Sequence, residues 1–151
     1  MNASPAITIE RLRQPSAEDR EALIALDTAS FAHPWTCETF DRMLETPVSQ
    51  VFVARDPAAR IVAFCACWVI ADDVHVNTLA VEAGVRRQGI ASTLLAGLLR
   101  LTGAARATLE VRRSNVAALA LYEKLGFRVT AVRPHYYEDP EEDGLILWLN
   151  P

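Results

Sequence analysis

The stretch best suited to chemistry is Leu79-Ala80-Val81-Glu82-Ala83-Gly84-Val85-Arg86-Arg87-Gln88-Gly89-Ile90-Ala91. A strand ends at Val81, and the apolar spacing after Gly89 predicts a helix. A helix N-terminus presents unpaired N–H groups and a partial positive charge, which suits a pyrophosphate. Gly89 and Ala91 carry little or no side chain, so the backbone can approach an anion closely. Arg86 and Arg87 add charge at the same rim. Taken alone, these residues fit equally an ordinary strand–helix turn with solvated arginines. The Gly-Lys-Ser/Thr ending of a Walker loop is absent, and so is the dinucleotide GxGxxG.

Other reactive side chains are scattered. Cys65 and Cys67 stand two apart in an apolar run, so a strand points both thiols to one face, where they pack as small hydrophobes. No second Cys/His pair completes a zinc site, and His33–Cys37 is a lone i,i+4 pair, so no metal is expected. Glu110, between Leu109 and Val111, faces opposite to both and reads by itself as a solvent-facing carboxylate. Tyr122 falls on an apolar helical stripe, where a tyrosine usually packs in the core with its hydroxyl bonded. Asn115 is the expected N-cap of that helix. His75, two residues before Asn77 in the strand entering the site, reads as a surface or internally satisfied histidine, against the alternative of a proton relay.

The surrounding pattern supplies the elements. Ile7 to Leu12 alternates as a strand, and Ser16 with Asp19 forms a capping box that opens a helix through Leu23, Leu26 and Ala29. Pro34 breaks the chain before a second helix, which starts near Thr36 and carries Phe40, Met43 and Leu44. Strands from Gln50 to Arg55 and Ile61 to Ile70 flank a turn at 56–59, and Asp72-Asp73 precedes a strand from Val74 to Val81. There follow a helix ending near Gly103, a strand from Ala107 to Val111, and a helix from Asn115 stopped by Gly126. Strands from Arg128 to Arg133 and Leu145 to Leu149 enclose an acidic loop, 138–143. The order β-α-α-β-β-β-α-β-α-β-β predicts an α/β fold, a mixed central sheet of about seven strands with helices on both faces.

The 151 residues suit one domain, 1–151. Hydrophobic residues at 51% and charged residues at 23% argue against disorder. A net charge of −4 disfavours broad binding to nucleic-acid phosphates. The N-terminus lacks a basic start and an apolar signal core, and no apolar stretch is long enough to span a bilayer. A cytoplasmic, non-membrane protein is expected. Three cysteines do not suggest a disulfide framework.

Arg86-x-x-Gly89-x-Ala91 resembles the R/Q-x-x-G-x-G/A acetyl-CoA signature of the GNAT superfamily of N-acetyltransferases. Leu109-Glu110-Val111-Arg112-Arg113-Ser114-Asn115-x-x-Ala118-x-x-Leu121-Tyr122-x-x-Leu125-Gly126-Phe127 resembles the hallmark segment of its RimI-like branch, the bacterial ribosomal-protein N-terminal alanine acetyltransferases. Phe31-Ala32-His33-Pro34-Trp35, Arg133-x-x-Tyr136-Tyr137 and Glu142-Asp143 extend the likeness over nearly the whole chain. It departs at His75, where the branch often has an acidic or hydroxyl residue, and at Gly144, commonly alanine.

The resemblance implies the GNAT fold, acetyl-CoA as donor, and a protein N-terminus as acceptor. That acceptor would be the N-terminal alanine of the eighteenth small-subunit ribosomal protein, which basic residues follow. Position by position, it makes Glu110 the general base and Tyr122 the general acid. Leu79, Ala80 and Val81 match the strand end that pairs with the pantetheine arm, with the Val81 N–H as candidate oxyanion donor. Arg87, Gln88, Gly89, Ile90, Ala91 and Ser92 match the pyrophosphate cradle, with Arg86 at its rim, and Asn115 also contacts the cofactor. The acidic loop from Glu138 to Asp143, Glu142 and Asp143 included, is a candidate to receive a positively charged acceptor terminus, against the alternative of a solvated loop. Trp35, Tyr136 and Tyr137 are candidates to frame the peptide, against the alternative of core or rim packing. Two other readings stay open: a GNAT enzyme acting on a lysine or a small-molecule amine, and a non-catalytic acetyl-CoA-binding interaction module. Oligomeric state is not legible.

Overall fold

Leu109 and Val111 sink into the core while Glu110 between them stays half-buried, and this alternation carries the sheet. A computed structural model describes residues 6–31 and 35–150; Ala32, His33 and Pro34, including the expected break at Pro34 and the His33–Cys37 pair, lie outside the described residues. The elements are β1 (Thr8–Leu12), α1 (Ala17–Ser30), α2 (Cys37–Glu45), β2 (Ser49–Arg55), β3 (Ile61–Ile70) and β4 (Asp73–Val81). A single 3-10 turn, Ala83–Val85, leads to α3 (Ile90–Thr102), β5 (Arg106–Arg112), α4 (Val116–Lys124), β6 (Arg128–Tyr137) and β7 (Glu142–Leu149). Among the described residues seven strands form one sheet in the order β1-β2-β3-β4-β5-β7-β6, with β4–β5 parallel and the other pairs antiparallel.

Local chemistry sets the helix starts. The Ser16 and Thr36 hydroxyls accept the Asp19 and Thr39 N–H groups and so cap α1 and α2. On one face of the sheet α3 and α4 bury Leu94, Leu98, Leu109, Leu147 and Phe127; on the other α1 and α2 bury Leu23, Phe40, Val53 and Phe64. Cys65 and Cys67 share the first face as expected, and burial raises both thiols, Cys67 to about 12. A Cβ on Gly97 would lie 2.7 Å from Ile9 Cγ2, so its absence lets α3 press on β1. No helix among the described residues is long and apolar enough to cross a membrane.

The sheet opens at its middle. Register slips from Cys67 opposite Val76 to Ala66 opposite Thr78, so Asn77 is an extra residue in β4. Pairing of β4 with β5 covers only Asp73–His75 against Arg106–Thr108, and beyond it the strands part. The C-terminal hairpin departs from expectation. β6 continues to Tyr137 and β7 starts at Glu142, so the loop is 138–141 and Glu142 and Asp143 are strand residues. Arg112 holds the Glu138 and Pro140 carbonyls, and Asp143 accepts the His135 N–H at 3.1 Å. These polar ties extend the strands without the apolar alternation that would announce them.

Candidate active site

Two cavities flank the open end of β4 and share Phe31 on their walls. The larger, about 690 Å³, runs from Leu79, Ala80 and Val81 along Arg86 and Arg87 to Gly89, Ile90, Ala91 and Ser92. Its far wall is α4, through Ala117, Ala118, Leu121, Tyr122 and Lys124. Gly89 holds a left-handed φ of 77°, and no side chain caps α3. The first N–H groups of that helix therefore remain for a ligand, as an anion cradle requires. Arg86 Nε donates to the Val81 carbonyl at 3.0 Å and ties the turn to the strand end.

Nine of the expected cofactor residues thus line one cavity, with Tyr122; Gln88 and Asn115 do not. Asn115 Oδ1 accepts the Ala118 N–H at 3.2 Å and caps α4, so its position is explained by capping. Tyr122 is buried edge-on to Phe127, and desolvation drives its phenol well above the ordinary tyrosine value, the Cys65 thiol adding to the effect. Among the described residues, no group of three or more His, Cys, Asp or Glu side chains is arranged to hold a metal ion.

The second cavity, about 510 Å³, takes Asn77 and Thr78 from β4, Trp35 and Phe31 from the α1–α2 connection, and Arg112, Ser114, Asp139 and Glu142 from the opposite side. Glu142 is on its wall but already engaged: it accepts the Ser114 hydroxyl and N–H at 2.8 and 3.0 Å and Arg112 at 3.2 Å. Those bonds, the Ser114 hydroxyl foremost, hold its carboxyl below the usual range. Asp143 lies off both walls, 3.4 Å from Arg113. The Arg112 guanidinium sits 4.5 Å above the Tyr137 ring. Burial, with Glu110 nearby, lifts the Tyr137 phenol to about 12. Tyr136, 43% exposed, packs edge-on against Tyr137 and lines neither cavity. A Cβ on Gly144 would come within 2.9 Å of the Tyr136 ring, so glycine at this position makes room for that aromatic.

Asp27 was not anticipated here, whereas Asp139 belongs to the acidic loop expected to meet the acceptor and His75 to the strand expected to enter the site. Asp139 lines the second cavity. Asp27, only 1% exposed, lines it too, and its carboxylate accepts the Trp35 N–H. Desolvation pushes that carboxyl up, against the hydrogen bond from Trp35. The sequence does carry a signal: Asp27 falls on the Leu23-Leu26 stripe of α1, where a carboxylate is out of place. His75 Nε2 lies 2.7 Å from Glu110 Oε2. Glu110 projects from the sheet face opposite to Leu109, Val111 and Tyr122, which share one core, and the β4–β5 opening adjoins both faces.

The model of the acetyltransferase (GNAT) family matches residues 20–127. The chain belongs to that family. It is 34% identical over 141 residues to the ribosomal protein bS18-alanine N-acetyltransferase of Escherichia coli K12, covering 87% of this chain and 90% of that protein. The crystal structure of the ribosomal-protein-S18-alanine N-acetyltransferase from Escherichia coli superposes with a TM-score of 0.81 at 32% identity, over 95% of this chain and 93% of that one. A GNAT acetyltransferase from Elizabethkingia anophelis, crystallised with acetyl-CoA bound, shares the fold at 20% identity, with a TM-score of 0.71 over 95% and 97% of the two chains. The seven-stranded mixed sheet with helices on both faces is therefore a GNAT fold, and this GNAT enzyme belongs to a family that uses acetyl-CoA.

Proposed function

We propose that this GNAT enzyme transfers an acetyl group from acetyl-CoA to the N-terminal α-amino group of a protein, foremost the N-terminal alanine of ribosomal protein bS18, in the cytoplasm. The observation that carries the reading is the pair of cavities meeting where β4 leaves β5, one floored by an uncapped helix N-terminus and the other lined with acids. The names of relatives at 32–34% identity support the choice of acceptor.

Acetyl-CoA supplies a thioester. The first turn of α3 with Arg86 and Arg87 holds its diphosphate, and the free edge of β4 at Leu79 to Val81 takes the pantetheine arm by main-chain bonds. An α-amino group has a pKa of roughly 7.7–8.0, so much of the acceptor arrives protonated at neutral pH. Glu110, directly or through a water, takes that proton, and the freed amine forms the new C–N bond. The Val81 N–H steadies the carbonyl oxygen as it gains charge. As the C–S bond breaks, Tyr122 gives its phenolic proton to the sulfur, and the second proton that the newly bonded nitrogen must lose to become an amide passes through water to restore the phenol. Burial keeps that phenol protonated until the thiolate forms. Holding amine and thioester together contributes most, since proximity is worth ~7–11 kcal/mol.

The test is mass-spectrometric scanning of acetyl transfer onto N-terminal peptides, free lysine and small amines. Transfer to a peptide beginning Ala-Arg, and none to its N-blocked form, is expected. Preferred transfer to lysine or a small amine would replace the acceptor assignment, and cofactor binding with no transfer at all would reduce the chain to a binding module.

A further inference from the structure

We propose that His75 is a positioning residue for Glu110: its imidazole N–H holds one carboxylate oxygen so that the other is presented to the acceptor amine. The proposal rests on the reading of Glu110 as base. His75 stands in register with Thr108 across the last parallel pair before β4 and β5 separate. Glu110, two residues beyond Thr108, emerges on the same sheet face, and its Oε2 lies 2.7 Å from His75 Nε2. Side-chain exposures of 25% and 22% put the bond at the edge of solvent, where it is stronger than an open surface contact. On its other side the ring meets Trp68 of β3 edge-on, centroids 5.2 Å apart, Trp68 and His75 being register partners. The imidazole is thus held between an indole and a carboxylate.

A carboxylate offers only acceptors, so Nε2 carries the hydrogen and donates. The neighbouring charged groups are otherwise occupied. Asp73, two residues before His75, and Arg106, four before Glu110, pair with each other at 2.8 Å. Arg112, two residues beyond Glu110, engages Glu142 and the β6–β7 turn and stacks on the Tyr137 ring of β6, whose phenol lies near Glu110. Among the described residues His75 is the side chain that hydrogen-bonds the Glu110 carboxylate. In the reaction the proton leaves the acceptor nitrogen for Glu110 Oε1 and then passes to solvent, while the N–H of His75 stays in place. The imidazole orients the carboxylate.

Two amide substitutions test this, because Gln extends its N–H to about the position of Nε2 and Asn only to that of Nδ1. Both keep polarity and lose the imidazole, so packing on Trp68 changes alike in each. His75→Asn is expected to lower kcat for an Ala-Arg peptide about 10- to 100-fold with KM for acetyl-CoA unchanged, the scale of losing a hydrogen bond to a charged group. His75→Gln should restore kcat. Wild-type behaviour in both variants, or an equal defect in both, overturns the proposal, the second because it would mark a titrating imidazole or a packing role. Glu110→Gln separates the layers: a slow Glu110→Gln beside an unaffected His75→Asn removes His75 alone, and a fully active Glu110→Gln removes the base reading itself.

Discussion

At the scale of single residues, the site is a set of side chains whose surroundings decide their charge. Tyr122 is buried edge-on to Phe127, which keeps its phenol protonated, and the proposed mechanism draws on that proton. Tyr122→Phe is expected to bind acetyl-CoA nearly normally and turn over slowly; loss of cofactor binding with unaltered chemistry in the bound fraction would contradict that role. Asp27 poses a stability question. Its folded carboxyl titrates above the ordinary value, so the folded state binds the proton more tightly than the unfolded one, and stability falls as pH rises through that interval. Asp27→Asn keeps an acceptor for the Trp35 N–H and removes the buried charge. At neutral pH it should unfold about 2–4 °C higher for each kcal/mol gained, with the advantage vanishing in acid. A lower unfolding temperature at neutral pH would show that the charge is needed to hold the Trp35 segment. Burial of Asp27 was legible in principle from its apolar stripe, whereas the His75–Glu110 bond was not, because it joins residues 35 apart in sequence.

At the scale of elements, what was legible is what is local. Ser16, Thr36 and Asn115 cap helices because each accepts an N–H three residues ahead, and such signals sit within one turn. The turn before α3 was legible for the same reason: Gly89 adopts its left-handed φ within the motif itself. Gly89→Ala is expected to cost about 1–2 kcal/mol of stability from backbone strain alone, since a Cβ there meets nothing within 4 Å. Coenzyme A titrated into the refolded variant should bind more weakly; unchanged affinity would argue that the turn does not hold the diphosphate. The hairpin extension was hidden because Arg112, Asp143 and Glu142 build it from ion pairs and carbonyl bonds. The parallel neighbourhood of β4 and β5, which opens the sheet, follows from packing of α3 and leaves no pattern in either strand.

At the scale of the molecule, charge and shape act together. The chain carries a net −4, yet Glu142 and Asp143, the acids expected to receive a basic acceptor, are spent on Arg112, Ser114 and Arg113. Asp139, from the same acidic loop, lines the second cavity, and on the proposed reading it steers a basic N-terminus. Asp139→Asn should lower kcat/KM for an Ala-Arg peptide at low ionic strength, with the difference fading as salt shortens the screening length to about 8 Å at 0.15 M. A salt-independent loss would point to a structural role in the hairpin. The whole-chain likeness to alanine acetyltransferases and the opening between β4 and β5 converge on one claim, that acceptor amine and thioester meet in that gap with Glu110 on one side and Tyr122 on the other. The measurement that reaches it most directly is turnover of Glu110→Gln against the wild type, on an Ala-Arg peptide between about pH 6 and about pH 9. A fall of about 10²- to 10⁴-fold near neutrality with coenzyme A affinity intact is expected; equal turnover across that range would contradict it.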